Sequence, residues 1–117
     1  MYQILNSNLL TSQHSFTFMN VLANKLFVEA LGTFVFISVI FRFASKAWGA
    51  FAIGAALAAV ILFGGAISGG HFNPAVSFAM FASKQINELE LCGYVAMQLI
   101  GGYFAWAYYT HQTTSKQ

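Results

Sequence analysis

Three long apolar stretches, separated by polar segments, dominate the pattern of residues along the chain. They run over about residues 26–43, 47–66 and 89–109. Each approaches the ~20 consecutive apolar residues that a helix needs to cross a bilayer. Gly and Ala recur in all three, which favours close helix–helix packing in lipid. The pattern therefore predicts an all-α membrane protein with three transmembrane helices.

Polar residues occupy both ends of the chain. Residues 1–24 are polar and low in charge, and they lack the basic start and small-residue cleavage site of a signal peptide. Residues 110–117 are polar as well. We therefore expect exposed tails on either side of a single membrane domain at residues 25–109.

The segment between the second and third stretches, residues 68–83, is too polar at its start and too short to cross the bilayer. Pro74 suits the first position of a helix, and Asn73 is then placed as its N-cap. A helix from Pro74 to about Ala82 would be ~13 Å long, under half of the ~30 Å hydrocarbon core. We therefore predict a re-entrant loop and half-helix. A surface turn before an interfacial helix is the alternative.

Composition narrows the class of protein further. Of the 117 residues, 58% are hydrophobic and 7% are charged, whereas soluble domains carry about 25% charged residues. A net charge of +2 is too small for a nucleic-acid partner. The lone Cys92 can form no disulfide within the chain, and the three histidines are scattered. We expect no enzymatic site, no metal and no cofactor.

The polar loop has the chemistry to line a path for small solutes. Its backbone carbonyls accept hydrogen bonds, its Asn amide donates, and the half-helix points its positive dipole end at the bilayer centre. Such a site replaces the hydration of a small neutral solute and repels cations, including hydronium. The candidate residues are Gly69, Gly70, His71, Phe72, Asn73, Pro74 and Ala75.

Residues 68–77, SGGHFNPAVS, resemble the first signature loop of the aquaporin (major intrinsic protein) family, with its Asn-Pro-Ala box at 73–75. Two further motifs keep the family's register. Residues 29–33, EALGT, resemble the first-helix Glu-x-x-Gly-Thr motif, and Gln98, 25 residues after Asn73, falls on the third-helix Gln. The resemblance covers about residues 25–108, which correspond to the first of the family's two inverted repeats. It implies a passive channel for water or small uncharged solutes.

The resemblance also implies roles for individual side chains. Glu29 would brace the loop by accepting backbone N–H bonds, and Gln98 would support it. The alternatives are a Glu29 side chain that reaches the membrane interface and an ordinary interhelical hydrogen bond of Gln98. His71 is expected to brace the loop rather than to bind a ligand. Three glycines are expected at helix crossings: Gly32, Gly54 and Gly101.

One repeat cannot enclose a pore, because family members combine two repeats with two Asn-Pro-Ala boxes and an Arg after the second box. Three alternatives follow. The chain could form a homodimer of opposed topology or a higher oligomer, it could pair with a separate second-half chain, or it could be a non-conducting scaffold or truncated remnant. Orientation is unbiased, because two basic residues fall on one side and three on the other: Lys25 and Lys84 against Arg42, Lys46 and Lys116.

In a symmetric homodimer the family's register also predicts the constriction. Each mouth would be lined by Ile53 of one chain and by Ile61, Gly70 and Val76 of the other. None of these side chains is charged, and Val76 stands where the family has Arg. We therefore expect small neutral solutes with some apolar character to be favoured over strict water selectivity. Proton exclusion would rest mainly on the half-helix dipoles and Asn73.

Overall fold

The computed structural model describes residues 1–115, apart from the side chains at positions 2 and 6, and these residues form four α-helices. The helices are α1 (Tyr2–Phe43), α2 (Gly49–Ser68), α3 (Pro74–Ala82) and α4 (Glu88–Thr114). Helix α1 packs along both α2 and α4, and the short α3 packs on α4. The described part of the chain contains no strand, which confirms the all-α fold.

Two helices are long and apolar enough to cross a membrane: Gln3–Phe43 within α1, and Gly49–Ser68, which is α2. Helix α4 has 27 residues and is therefore ~40 Å long at 1.5 Å per residue. That length also exceeds the ~30 Å hydrocarbon core. Helices α1 and α2 thus have the length and apolar composition of membrane-spanning helices, and α4 has the length.

Helix α1 is much longer than the first predicted span. Residues 2–24, predicted as an exposed polar tail, are helical and continuous with that span. The side chains described between residues 3 and 21 are exposed. No Gly or Pro occurs before Gly32, so no residue that strongly disfavours a helix interrupts this segment. The 42 residues would span ~63 Å, which agrees with the 70 Å long dimension of the molecule.

The other boundaries differ from the predicted ones by smaller amounts. Helix α2 begins and ends about two residues later than the predicted stretch 47–66. Helix α4 continues to Thr114, so much of the predicted tail 110–117 is helical. Residues 116 and 117 lie outside the described residues. Helix α3 spans Pro74–Ala82, the nine residues of the predicted half-helix.

Local capping explains where the short helix and α4 begin. The Asn73 Oδ1 atom accepts a hydrogen bond from the Ala75 N–H at 2.8 Å, and Pro74 occupies the first turn of α3. At the start of α4, Asn87 and Glu90 form a reciprocal capping box. Each arrangement satisfies N–H groups that a helix start leaves unpaired.

The three glycines expected at helix crossings behave differently from one another. A Cβ at Gly101 would collide with the Ala30 carbonyl oxygen, so Gly101 does lie at the α1–α4 crossing. A Cβ at Gly32 would instead collide with the Phe72 ring, and one at Gly54 would meet open space among the described residues. The expectation was therefore wrong for Gly54 among the described residues, whereas Gly32, beside α2, makes room for a loop side chain.

Candidate functional site

A buried carboxylate on α1 holds the loop between α2 and α3. Glu29 is fully buried. Its Oε1 atom accepts hydrogen bonds from Ser68 Oγ at 2.6 Å and from the His71 N–H at 3.0 Å. Its Oε2 atom accepts from the Phe72 N–H at 2.6 Å and from Gln98 Nε2 at 2.8 Å. Four donors thus replace the water that burial removes from the carboxylate, whereas a Glu29 that reached the interface would be exposed.

A second layer of hydrogen bonds surrounds this carboxylate. Gln98 Nε2 also donates to Ser77 Oγ at 2.8 Å, and His71 Nδ1 lies 3.0 Å from the same oxygen. The Tyr94 hydroxyl donates to the Ser68 backbone carbonyl. Ser77 and Tyr94 are fully buried. The network therefore joins the loop, α3 and α4 around one centre.

Three members of this network had no role predicted from the sequence: Ser68, Ser77 and Tyr94. Spacing offered a signal for Tyr94, which lies one helical turn before Gln98 and so shares its face of α4. Ser77 likewise lies one turn after Asn73, at the first turn of α3. Ser is common in apolar helices, so the residue type at Ser68 and Ser77 gave no indication of a role.

The loop turns through unusual backbone conformations. Gly69 and Gly70 have φ values of +93° and +67°, and Phe72 has a φ of +48°. A positive φ is uncommon for a bulky residue. The Phe72 N–H is held by Glu29, and its ring, which is 2% exposed, packs against Gly32 and Gly64. Contacts on both sides thus hold Phe72 in this conformation.

The Asn-Pro-Ala box lies on the opposite side of the loop from the buried network. Asn73, Pro74 and Ala75 are exposed. Asn73 uses Oδ1 to cap α3, and its Nδ2 donates to no group in the described part of the chain. A groove of about 500 Å³ lies beside it, and Thr33 and Gln98 contribute to its wall. One chain therefore presents an amide donor at an open, largely apolar groove.

Two buried oxygen atoms in the wall of this groove have no hydrogen-bond partner among the described residues: Thr33 Oγ1 and Gln98 Oε1. The Gln98 amide nitrogen donates its two hydrogen bonds to Glu29 and to Ser77. The Gln98 side chain is 2% exposed. Gln98 is thus tied to the loop-holding network through its nitrogen, and this bond also links α4 to α1.

The four residues of the predicted constriction are distributed over α2, the loop and α3. Ile53 is half-buried on α2, whereas Ile61 on the same helix is 43% exposed. A Cβ at Gly70 would lie 3.6 Å from the Ile61 Cα, so these two positions are neighbours. Val76 is 36% exposed on α3. A single chain thus brings two of the four together and leaves Val76 on the open side.

The described residues contain no group of three or more His, Cys, Asp or Glu side chains able to hold a metal ion. The polar groups of the site are amides, hydroxyls, the His71 imidazole and one carboxylate that already accepts four hydrogen bonds. Such groups can bind and orient a neutral polar molecule through hydrogen bonds.

Comparison with known proteins gives several matches. A family model described as Major intrinsic protein matches residues 22–117. Aquaporin Z of Photorhabdus laumondii is 39% identical over 69% of this chain and 40% of its own length. Glycerol uptake facilitator protein-like 6 of Lactiplantibacillus plantarum is 38% identical over the same shares. Lens fiber major intrinsic protein of Rattus norvegicus is 46% identical over 44% of this chain and 20% of its own length. No solved structure matches the chain significantly.

The chain spans about two fifths of the length of the first two of these relatives. The family match covers most of the chain and confirms the resemblance carried by the signature loop and the two helix motifs. The chain therefore belongs to the major intrinsic protein family, whose members are multi-pass integral membrane channels rather than enzymes.

Proposed function

We propose that the chain is one half of a passive channel for water or small uncharged solutes, and that it conducts only after pairing with a second repeat. The observation that carries this proposal is the position of Asn73. Its amide donor is exposed beside an open groove, while the loop behind it is fixed by the Glu29 network. An oriented donor next to an apolar wall suits a small polar solute that must shed part of its hydration.

In this proposal α1, α2 and α4 cross the membrane, and the loop with α3 enters the bilayer and returns. Helix α3 has nine residues, so its ~13 Å length cannot cross a ~30 Å core. The non-helical backbone of the loop is tolerated at membrane depth because its polar groups are satisfied inside the protein. The bonds from His71 and Phe72 to Glu29 supply part of that satisfaction.

The pairing that we favour is a homodimer of opposed topology, in which two copies bring their α3 helices together. The open face around Asn73 and Val76 is the surface that such a partner would cover. The basic residues near the helix ends do not bias orientation. In addition, the Lys25 ammonium lies 2.7 Å from the Glu90 carboxylate, so the positive charge at that helix end is paired and does not add to a bias. An opposed pair would convert the family's inverted repeats into two symmetric copies.

In the opposed pair, Ile53 of one copy and Ile61, Gly70 and Val76 of the other would form each constriction. Such a ring offers few side-chain hydrogen bonds to water. It should therefore pass small neutral solutes with apolar character, such as glycerol, at rates comparable to water. Partners that supply the missing half as a separate chain would replace this ring with their own side chains.

Osmotic measurements on vesicles separate the alternatives. Vesicles that contain this chain alone are expected to shrink faster than empty vesicles under an osmotic gradient. If conduction instead requires co-reconstitution with a second-half chain that carries its own Asn-Pro-Ala box and Arg, the homodimer is wrong and the heteromeric pair is supported. No conduction in either preparation would support a non-conducting scaffold.

A further inference from the structure

A small polar cavity opens between α1 and α4, at the end of the helix pair opposite the Lys25–Glu90 ion pair. Its volume is about 240 Å³. The polar side chains in its wall are Ser38, Arg42, Tyr108, Tyr109, Gln112 and Thr113. The cavity belongs neither to the signature loop nor to the groove beside Asn73.

Among the described residues, no side-chain carboxylate pairs with the Arg42 charge. The only acidic residues in the sequence are Glu29, Glu88 and Glu90. Glu29 precedes Arg42 by 13 residues on the same helix, which is ~20 Å. Glu90 and Gln112 are separated by 22 residues of α4, which is ~33 Å. No side-chain carboxylate of the described residues therefore neutralises the guanidinium, and an anion from outside those residues would complement it.

Among the other polar groups of the cavity, the Tyr108 hydroxyl can donate a hydrogen bond to a ligand. Gln112 Nε2 donates to the Tyr108 hydroxyl at 2.7 Å. Because that oxygen already accepts a bond, its own proton is available to donate to a ligand. The Ser38 hydroxyl, in contrast, donates to the Phe34 carbonyl. Together, Arg42 and Tyr108 present a cation and a donor, the pair of groups that binds a phosphate oxygen well.

Further along the same α1–α4 seam lies an apolar groove of about 350 Å³. Its wall includes Leu31, Phe34, Ile100 and Phe104. The Phe34 ring lies edge-on to Tyr108, with centroids 6.3 Å apart, and so joins the groove to the polar cavity. From Leu31 to Arg42 the helix rises ~16 Å, close to half of the ~30 Å hydrocarbon core.

We propose that this seam binds an anionic phospholipid, with the phosphate on Arg42 and Tyr108 and one acyl chain in the apolar groove. The length of the seam matches one leaflet, and its charged end lies where a headgroup would be. A phosphate with an attached hydrocarbon chain satisfies both parts at once, whereas a free phosphate would leave the apolar groove uncovered. This site is independent of the pairing proposed for conduction.

Native mass spectrometry of the full chain in detergent tests the proposal. With phosphatidylglycerol present, the protein is expected to retain one lipid per chain about fivefold more strongly than with phosphatidylcholine. Arg42→Gln should abolish that preference. Lys46→Gln removes a nearby positive charge that lies outside the cavity, and it should leave the preference unchanged. Equal retention of the two lipids, or equal loss in both variants, would overturn the proposal.

A second pair of measurements distinguishes a lipid from its headgroup. Ile100→Trp places extra bulk in the apolar groove without touching the charged end, and it should weaken phosphatidylglycerol retention while Arg42 remains. Glycerol 3-phosphate and inorganic phosphate should not be retained, each at the concentration at which phosphatidylglycerol saturates the site. If the wild type retains free phosphate and Ile100→Trp retains phosphatidylglycerol as strongly as the wild type, the site binds phosphate and the lipid proposal is refuted. Circular dichroism checks that each variant keeps its helical content.

Discussion

Glu29 Oε2 lies 2.8 Å from Gln98 Nε2, and this bond joins α1 to α4 at the same carboxylate that holds the backbone of the signature loop. The two residues are 69 positions apart in sequence. Loop position and helix packing are therefore coupled, because neither can change without breaking bonds to one buried group. The exposed amide of Asn73 depends on this coupling for its orientation.

Replacing the carboxylate should destabilise the protein strongly. In Glu29→Leu the Ser68 hydroxyl, the His71 and Phe72 N–H groups and one Gln98 N–H would lose their acceptor. Each buried polar group left unpaired costs about 1–3 kcal/mol. We expect the free energy of unfolding in detergent to fall by about 3 kcal/mol or more.

The matched control for that substitution is Glu88→Gln, which changes an exposed carboxylate in the first turn of α4. Its unfolding free energy should stay within about 0.5 kcal/mol of the wild type. Comparable stability of Glu29→Leu and Glu88→Gln would show that the buried hydrogen bonds do not hold the loop.

The chain offers a matched pair of glycines to test the packing of Phe72. In Gly32→Ala the new methyl would collide with the Phe72 ring, whereas in Gly54→Ala it would meet open space among the described residues. Overpacking typically costs about 1–3 kcal/mol, and replacing an exposed helical Gly by Ala gains about 0.5–1 kcal/mol. Thermal melts in detergent should therefore move in opposite directions. A rise in both melting temperatures would contradict the packing of Phe72 on Gly32.

The sequence predicted the parts of the site that depend on local chemistry. Local chemistry favours a helix start at Pro74, a cap at Asn73 and a functional role for Glu29 inside an apolar stretch. The structure places α3 at the residues expected. The positive φ of Phe72 and the convergence of Ser77, Tyr94 and Gln98 on one centre depend on tertiary packing. Periodicity does not encode such contacts.

The length of α1 was missed for a different reason. Residues 2–24 are polar enough to be read as a tail, but polarity reports exposure, not backbone conformation. The absence of Gly and Pro before Gly32 was the available helix signal. The same reasoning applies to α4, which continues through polar residues to Thr114.

Cysteine cross-linking tests the opposed pairing. The starts of the two α3 helices would meet near the bilayer centre in such a pair, so Ala75→Cys in a Cys92→Ser background should form a covalent dimer in membranes under mild oxidation. Disulfides need Cα atoms within about 7 Å. The native Cys92, exposed on α4, serves as the comparison and should cross-link much less. Dimers through Cys92 but not through Cys at position 75 would exclude this arrangement.

The proposed constriction should respond to charge at Val76. In the opposed pair, Val76→Arg would place a guanidinium at each mouth, with several N–H donors for water and a positive charge against protons. The ratio of water to glycerol permeability should rise severalfold, and proton leak should fall. Val76→Gln adds a polar side chain without charge, so it should change the ratio less and leave the leak unaltered. An unchanged ratio in Val76→Arg would place Val76 outside the solute path.

The most direct test of the account compares solute flux through two variants that alter the same chemical group. Asn73 and Asn87 both cap helices through their side-chain oxygen, and Asp caps a helix equally well. Asn73→Asp and Asn87→Asp should therefore both fold. The measurement is stopped-flow permeability to water and glycerol in vesicles that contain only this chain. If Asn73 lines the path, Asn73→Asp lowers neutral-solute flux and raises cation leak, while Asn87→Asp conducts like the wild type. Equal permeability of all three proteins would contradict the claim that the Asn73 face is the wall of a channel.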